Sequence, residues 1–579
     1  MSDLDLEDHS LTSGAVLLTK VPDGGEAAIV NQLMDDLDGK PLIFVARDDS
    51  RAARIMKTLS FLRPDVKTQW FPAWDCLPYD RVSPNRDIAA QRIATLTLLA
   101  NRSDKLFKKP FVLFTTINAF TQKLPTKDRF QGALKKLTIG DVVPTEELVA
   151  FLEGHGYLRS STVVDAGDYA VRGGIVDIFP AGHSRPYRLD FFGDELDTVR
   201  VFDPLSQRTV KEEKSVTLSP VAEYPKDEES RELFRSRYRE MFGISRQEDP
   251  LYESVSAGRH YAGIEHWLPL FYPEMTFLHD YVPGAALVLD QQVGDAKTTR
   301  LEAIADFYDA RKTFLNQNGA GFEDSYKPIP PKMLYSDEED WDALGRIHQI
   351  WQITSYAIPS APGREIVDPG IRVGLDFSEA RQNPEISFYR QVVIDMREAQ
   401  AGGRRVVVSA LSEGSKTRLI NLLCENGLPD APEVSSSVEL VQLRKKAISF
   451  TVLPQERGFR TDKLIFVTEQ DILGERMVRP QSRRRKADNF LKEVSSIEVG
   501  DIVVHMDHGI GRYEGLEVLE IGGAAHDVLK LVYHGDDKLF LPIENIDLLS
   551  RYGNEEGAQL DRLGSANWQA RKSQVKKNL

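Results

Sequence analysis

Residues 500–552 constrain the fold more than any other part of this sequence. They form short runs of alternating apolar and polar residues separated by Gly and Asp, a pattern typical of a small, strongly bent antiparallel β-barrel. Such a barrel has too little interior to enclose a substrate, so we expect its outer edge and loops to dock a partner. The pattern predicts strands at residues 502–505, 516–519, 528–532 and 539–542, with corners or bulges at Gly509, Gly511, Gly515, Gly522 and Gly523.

Length and composition indicate a globular protein of several domains. At 579 residues the chain exceeds what one hydrophobic core supports. The net charge of −15 argues against an extended nucleic-acid-binding surface, because phosphate contacts need clustered Lys and Arg. Two cysteines, Cys76 and Cys424, exclude a disulfide framework and favour a reducing compartment. The acidic N-terminus lacks a signal-peptide pattern and no apolar run approaches a membrane span, so we expect a cytoplasmic protein with no membrane partner.

The first part of the chain alternates short apolar runs with amphipathic stretches. This alternation predicts a parallel α/β sheet whose strands are joined by crossover helices. The predicted strands are residues 15–18, 41–46 and 111–115, and the predicted helices are residues 26–38, 49–62 and 86–99.

The loop after the first predicted strand is where such folds bind phosphates, so its residues decide whether the sheet can use a nucleotide. A P-loop reads G-x-x-x-x-G-K-[ST], with Lys on the terminal phosphates and a hydroxyl on magnesium. In the loop that contains Gly24, Gly25, Glu26 and Ala27, Gly25 remains, but Lys20 stands in place of the first glycine, and Glu26 and Ala27 replace the lysine and the hydroxyl residue. A carboxylate at that position repels phosphate. The sequence therefore predicts a degenerate nucleotide loop, with no cofactor for this chain and no enzymatic activity.

Three further patterns resemble functional motifs without matching them. Residues 414–417 (GSKT) lack the upstream glycine of a P-loop and are interpreted as the opening of a helix. The acidic runs at residues 227–229 and 337–339 follow no apolar strand and are interpreted as solvated loops. His505 and His508 have no third ligand nearby in sequence, so we predict a structural role for them and no metal site.

Residues 166–209 carry a second informative pattern, that of an antiparallel sheet. Short alternating runs are separated by Gly173-Gly174 and by the Pro180-Ala181-Gly182 break. The predicted strands are residues 175–179, 187–191 and 198–202.

The run GDYAVRGGIVDIFP, followed by PYRLDFFGDELDTVRVFDPLSQRT, resembles domain 2 of the excision-repair protein UvrB and of the transcription-repair coupling factors. In both families this module binds UvrA, and the resemblance implies that Arg172, Arg188 and Phe192 make that contact. Arg and aromatic side chains dominate interface hot spots, which suits the role. The alternative is a sheet with ordinary surface arginines and a core phenylalanine. It carries weight for Phe192, because Phe191 faces the opposite side and only one of the two can be core.

The run VVHMDHGIGRY in the predicted barrel resembles the RNA-polymerase-binding module that CarD-type regulators share with the transcription-repair coupling factors. The resemblance implies docking on the β subunit of RNA polymerase, with Leu519 as the contact residue. A core position in the barrel is the alternative for Leu519.

The resemblance to the coupling factors covers essentially the whole chain and implies a fold class of α/β multidomain type. The implied arrangement is a degenerate P-loop-like parallel domain that carries an inserted antiparallel α+β module and is followed by a small α/β domain and a C-terminal Tudor/SH3-like β-barrel. The implied domains are 1–138 (UvrB 1A-like), 139–222 (UvrA-binding), 223–370 (UvrB 1B-like), 371–475 (small α/β), 476–496 (basic linker), 497–555 (barrel) and 556–579 (start of a linker helix).

UvrB places an aromatic hairpin in its first domain to separate DNA strands. The corresponding stretch here is short and leaves only Phe71, Trp74 and Tyr79. A packed aromatic loop is the alternative interpretation of these residues.

The implied function is that of the recruiting half of a coupling factor, which binds stalled RNA polymerase and brings UvrA to it. In the family a motor after the barrel uses ATP and magnesium to move on double-stranded DNA, and we expect this sequence to be part of such a longer protein. Two alternatives remain open, an active UvrB-like helicase and a CarD-like transcription regulator.

Overall fold

The structure, a computed structural model, divides into two units, residues 1–477 and 478–579. Within the described residues no helix has both the length and the apolar character needed to cross a membrane. The described residues are 15–37, 39–101, 110–243, 249–259, 261–318, 326–359, 363–382, 387–443, 447–474, 500–505, 508–521, 524–542, 549–553 and 560.

The strands, in chain order, are β1 (Val16–Leu18), β2 (Leu42–Ala46), β3 (Lys67–Phe71), β4 (Phe111–Thr116), β5 (Leu124–Pro125), β6 (Lys135–Thr138), β7 (Leu158–Arg159), β8 (Asp168–Arg172), β9 (Ile175–Ile178), β10 (Tyr187–Phe192), β11 (Glu195–Phe202), β12 (Thr209–Glu213), β13 (Ser215–Leu218), β14 (Met275–Thr276), β15 (Ala286–Leu289), β16 (Ile350–Ile353), β17 (Ile366–Val367), β18 (Arg372–Val373), β19 (Arg405–Ala410), β20 (Ile448–Val452), β21 (Phe459–Arg460), β22 (Leu464–Thr468), β23 (Ile502–His505), β24 (Gly509–Ile521), β25 (Ala524–Val532), β26 (Lys538–Pro542) and β27 (Leu549–Gly553).

The helices are α1 (Glu26–Asp36), α2 (Asp49–Leu62), α3 (Arg86–Ala100), α4 (Ile117–Phe120), α5 (Thr145–Gly154), α6 (Glu228–Phe242), α7 (Pro250–Ser256), α8 (Val293–Asn318), α9 (Pro331–Leu334), α10 (Glu338–Ile347), α11 (Ser378–Gln382), α12 (Phe388–Ala401), α13 (Glu413–Glu425), α14 (Ser437–Gln442) and α15 (Glu469–Leu473). Short 3-10 segments cover Lys127–Arg129, Ile264–Phe271 and Leu278–Tyr281.

The first sheet has seven strands in the order β17-β1-β16-β15-β2-β4-β3, and all of their pairings are parallel. The predicted parallel sheet is therefore present. The pattern missed β3, because Lys67, Thr68 and Gln69 make it polar. It also missed β15, β16 and β17. These three strands follow the antiparallel module in the sequence but belong to the first sheet.

The central strands of this sheet are buried on both faces, as every residue of β2 and β4 is. Phe44 and Val112 pack in one cluster with residues of α1 and α2. Ile43 and Leu113 pack in a second cluster, on the opposite face, with residues of α3. A strand covered by helices on both faces reads as a continuous apolar run, which is why these two strands could be predicted from sequence.

The second sheet has six strands in the order β12-β11-β10-β9-β8-β7. Its pairings are antiparallel except between β7 and β8. The three strands predicted here are present as β9, β10 and β11, while β7, β8 and β12 were not predicted. The polar sequence of β12, TVKEE, is exposed along most of its length and lies at one edge of the sheet.

The third sheet has the order β18-β21-β22-β19-β20, with β19 parallel to both of its neighbours. Its core joins that of the first sheet, since Val407 and Phe466 belong to the same cluster as Phe61 of α2. The rings of Phe61 and Phe466 meet edge to face with centroids 5.9 Å apart.

The second unit contains a five-stranded antiparallel sheet in the order β26-β25-β24-β23-β27. Its four predicted strands are present. Gly509, with a φ of +83°, follows the turn at His508 and pairs with His505, as expected for a corner, whereas Gly511 pairs with Val503 within β24 without a register shift. Gly511 sits against the ring of Tyr533, where a Cβ would be 3.0 Å from Cζ. Gly515 is at a register shift between β24 and β25, as expected for a bulge. Gly522 and Gly523 lie outside the described residues, and closure into a barrel stays a prediction.

The structure also settles several smaller predictions. The acidic runs are not loops, because Asp227 and Asp337 cap the N-termini of α6 and α10, and their carboxylates accept backbone N–H groups from Ser230 and Asp340. Carboxylates are favoured there because they complement the positive end of the helix. The helix predicted at residues 414–417 is present as α13.

The aromatic residues of the 71–79 stretch are packed inside the first unit. Phe71 and Tyr79 are almost completely buried, and 9% of Trp74 is exposed. Their burial favours the packed-loop interpretation over a hairpin that separates DNA strands.

Candidate docking surfaces

One face of the six-stranded sheet packs against α5, and strand alternation assigns each side chain of β10 to that face or to the opposite one. Tyr187, Leu189 and Phe191 belong to the apolar cluster between the sheet and α5. Arg188 and Phe192 alternate with them along β10 and therefore lie on the opposite face, here called the outer face.

Strand register brings Arg172 to the same outer face. Arg172 is opposite Ile175 in the pairing of β8 with β9, and Ile175 is opposite Asp190 in the pairing of β9 with β10. Residues directly opposite each other in an antiparallel pair project to the same side. The three residues that the sequence nominated for UvrA binding thus share one face of one sheet.

Phe192 is 86% exposed, whereas the neighbouring Phe191 is 7% exposed. Of the two phenylalanines, Phe191 is therefore the core residue, and the alternative interpretation of Phe192 as a core side chain is wrong. The strand holds Phe192 in place through its pairing with Glu195 of β11.

Arg188 is held by a buried carboxylate. Its Nε and Nη2 donate to the two carboxylate oxygens of Asp177 at 2.7 and 2.8 Å, and its guanidinium lies 4.7 Å from the ring centroid of Phe202. The hydrogen bonds from Arg188 to Asp177 raise the pKa of the guanidinium. Because Asp177 is 2% exposed, Arg188 has a structural task in addition to any contact with a partner.

Arg172 differs from Arg188 in its surroundings. It is exposed at the end of β8, and its Nη2 donates to the backbone carbonyl of Ser161. Among the described residues no carboxylate pairs with it, so its charge is available to an incoming acidic group.

One end of the outer face is covered. Ala170 and Phe202 pack with Ala90 of α3 in a separate apolar cluster. The end that carries Arg172 and Phe192 is outside that cluster and remains exposed.

The loop that the sequence predicts to be a degenerate nucleotide loop is closed by its own side chains. Glu26 accepts the backbone N–H of Gly24 at 2.9 Å and forms an ion pair with Arg51, which also pairs with Asp23 and, at 2.5 Å, with Asp290. Asp23, Glu26, Arg51 and Asp290 are here called the loop cluster. Burial raises the pKa of Glu26 to about 7. A carboxylate thus takes the backbone donor that a phosphate would need.

The connection between β20 and β21 of the third sheet covers the same loop. Gln455 donates through Nε2 to the carbonyl of Gly24 at 2.8 Å and lies 3.1 Å from the hydroxyl of Thr58. Gly24 has a φ of +96°, and a Cβ there would collide with the carbonyl oxygen of Arg457. Sequence reasoning missed Arg51, Asp290 and Gln455, because their partners lie tens to hundreds of residues away.

In the second unit, Leu519 lies in β24 opposite His526, and its side chain is outside the described ones. β23 pairs with residues 509–512 of β24, whereas β25 pairs with β24 as far as Ile521. Among the described residues, the strand around Leu519 therefore has a partner on one side only, which is the condition for adding a strand from another protein.

His505 is buried, and its Nδ1 faces the backbone N–H of His508 at 3.3 Å. No group of three or more possible metal ligands occurs in the part of the chain that the structure describes. The structural role of the two histidines stays a prediction.

Comparison with known proteins locates two families of domain in the chain. Residues 136–224 match the UvrB interaction domain, which includes the six-stranded sheet. Residues 497–553 match the CarD-like/TRCF RID domain, which includes the five-stranded sheet of the second unit.

Curated relatives resemble nearly the whole chain. The transcription-repair-coupling factors of Rickettsia bellii and Escherichia coli are each 30% identical to it, over 93% and 95% of this chain respectively. That of Bacillus subtilis is 24% identical over 95% of this chain. Each alignment covers 46% of the relative, so the chain spans about half the length of the curated relatives it matches. The chain thus carries matches to both of these domains, and over 93–95% of its length it is similar to about half of a transcription-repair-coupling factor.

Proposed function

We propose that this chain is the recruiting half of a coupling factor, binding UvrA through the outer face of its six-stranded sheet and RNA polymerase through its second unit. The proposal rests on the exposure of Phe192. Its side chain is 86% exposed, whereas the opposite face of the same strand is packed in a core. Large exposed aromatic side chains on a rigid element are the residues that most often anchor an interface.

The surroundings of Phe192 support a protein partner. Its backbone is held by sheet pairing, so little conformational entropy is lost when a partner covers the ring. Arg172 on the same face offers a charge to an acidic group of the partner. Arg188 contributes mainly by pairing with the buried Asp177.

The polymerase contact proposed for the second unit uses the open side of β24. An extended segment of the polymerase β subunit would add to this strand through backbone hydrogen bonds, and the side chain of Leu519 would supply specificity. This half of the proposal is independent of the first, since the two surfaces are in separate units.

We also propose that the chain itself hydrolyses no ATP. The loop cluster supports this proposal, because Glu26 takes the backbone donor of Gly24 and Arg51 is surrounded by three carboxylates. ATP, magnesium and double-stranded DNA would be ligands of a motor elsewhere in a full-length coupling factor. Titration calorimetry with Mg-ATP should be flat, and saturable micromolar binding that is lost on mutation of Gly24 would contradict the proposal.

Binding of UvrA tests the first surface. Phe192→Ala should weaken UvrA binding about thirtyfold, equivalent to about 2 kcal/mol, with no change in melting temperature. The same variant should bind RNA polymerase as the wild type does. Full retention of UvrA by Phe192→Ala would exclude this face as the docking site.

Leu519→Arg tests the second surface. If Leu519 contacts polymerase, the variant should lose polymerase binding while the second unit keeps its melting temperature. If Leu519 is a core residue, the substitution buries an unpaired charge and unfolds the unit. Loss of the folded sheet together with loss of binding would therefore count against Leu519 as the contact.

A further inference from the structure

A short segment outside the six-stranded sheet extends the row of side chains that contains Phe192. Residues 140–143 run along the start of β11, at the edge that β12 occupies farther along the same strand. Three backbone hydrogen bonds hold the segment there: Gly140 N–H to the Leu196 carbonyl at 2.8 Å, Leu196 N–H to the Asp141 carbonyl at 2.9 Å, and Val143 N–H to the Asp194 carbonyl at 2.7 Å.

The segment places Val142 beside the proposed docking residues. Val142 forms an antiparallel bridge with Glu195, and Glu195 is opposite Phe192 in the pairing of β11 with β10. The three side chains therefore form one row on the outer face. Val142 is 70% exposed, whereas the next residue, Val143, is 9% exposed and belongs to the core of the module.

We propose that Val142 and Phe192 form a two-point apolar contact for UvrA, with Glu195 between them. The proposal rests on the UvrA-binding function proposed above and assigns it a second anchor. Two strand spacings separate the anchors, about 9–10 Å, so the matching surface of UvrA carries two apolar positions at that distance.

The charges of the row identify the kind of partner. Glu195 lies between the two apolar side chains, and Asp190 is two residues before Phe192 on the same face, paired with Arg200. A carboxylate in the centre of a contact repels a nucleic-acid backbone, which needs clustered cations. A protein surface with apolar side chains flanking a hydrogen-bond donor satisfies all three positions.

Because the backbone of this segment is already fixed, we expect Val142 to contribute to the free energy of UvrA binding. Because three hydrogen bonds already fix residues 140–143, covering Val142 removes apolar surface from water without ordering a loop. An equally exposed valine on a mobile loop would lose much of that gain to conformational entropy.

The experiment compares Val142→Asp with Leu205→Asp in the full chain. Leu205 is 60% exposed in the turn between β11 and β12, at the opposite end of β11 from Glu195. Val142→Asp should weaken UvrA binding about tenfold or more, because a charge is placed beside the apolar anchor. Leu205→Asp should bind UvrA as the wild type does. Both variants should keep the wild-type melting temperature, and Val142→Ala should weaken binding in the same direction by a smaller factor.

The outcomes separate this inference from the function on which it rests. If Phe192→Ala weakens UvrA binding while Val142→Asp does not, the second anchor is refuted and the docking face stands. If UvrA does not bind the wild-type chain, the proposed function fails and the inference fails with it. Equal weakening by Val142→Asp and Leu205→Asp would show a nonspecific charge effect and would also overturn the inference.

Discussion

The loop cluster and the outer face both combine arginines with carboxylates, but the arginines have different roles in the two regions. In the loop cluster, Arg51 is enclosed by three carboxylates, and the backbone donor of Gly24 is taken by Glu26. On the outer face, Arg188 is matched by one carboxylate, whereas Arg172 is exposed next to a row with a large apolar side chain. A site whose polar groups are all paired internally is a structural element, and one with unmatched charge and exposed apolar surface is available to a partner.

The largest effect is expected from breaking the loop cluster at its centre. Arg51→Leu would leave Glu26 and Asp290 buried without their cation, which costs about 3–5 kcal/mol of unfolding free energy. Chemical denaturation of the first unit measures this loss. Arg47→Leu is the control, since the ion pair of Arg47 with Asp48 is exposed and contributes about 0–1 kcal/mol. Similar stabilities for both variants would show that the loop cluster does not support the fold.

The contact between the loop and the third sheet can be tested with a pair of glycines. Gly24→Ala forces a side chain into a left-handed conformation and against the carbonyl of Arg457, so we expect a loss of about 2–4 kcal/mol. Gly39→Ala has a comparable φ of +77° with no atom within 4 Å of the added Cβ, and should lose about 1 kcal/mol. Thermal unfolding separates the two. Equal losses would mean that backbone strain alone, and not the third sheet, limits the position.

The two arginines of the outer face should differ in their effects on stability. Arg188→Ala leaves the buried Asp177 without its partner and should cost about 2 kcal/mol. Arg172→Ala removes an exposed side chain and should change the unfolding free energy by less than about 0.5 kcal/mol. Adding Asp177→Ala to Arg188→Ala should recover part of the loss. If UvrA affinity falls for Arg172→Ala with stability intact, the contact role of Arg172 is separated from the structural role of Arg188.

A further effect concerns pH. Burial raises the pKa of Glu26 to about 7, from the value of 4.5 for a free glutamate, so between these values the folded chain holds a proton that the unfolded chain has lost. The contribution of Glu26 to stability therefore falls as pH rises from about 4.5 to about 7. Glu26→Gln has no such proton, and its stability relative to the wild type should rise over that interval. Denaturation of both proteins at the two ends of the interval measures the difference, and a constant difference would contradict the raised pKa.

The local sequence was enough for elements with a strong pattern. β2 and β4 were predicted because strands buried on both faces are continuous apolar runs, and β9, β10 and β11 because of their alternation. β3 and β12 were missed because polar residues on a sheet edge leave no periodic signal. Gly511 pairs regularly within β24, because a glycine in a strand pattern can also mark a close approach, here that of Tyr533, rather than a corner.

By itself, the sequence determined that the loop after β1 lacks the lysine and hydroxyl of a nucleotide site, and that only one of Phe191 and Phe192 can be core. Both conclusions follow from residue identity and from strand alternation, which act over a few residues. Only the tertiary structure decided that Phe192 is the exposed one, that Arg51 meets Asp290 across 239 residues, and that Val142 stands in the same row as Phe192. These three features depend on strand order and on the register between distant segments. Hydrophobic packing of the whole unit determines both, so a local sequence pattern does not predict them.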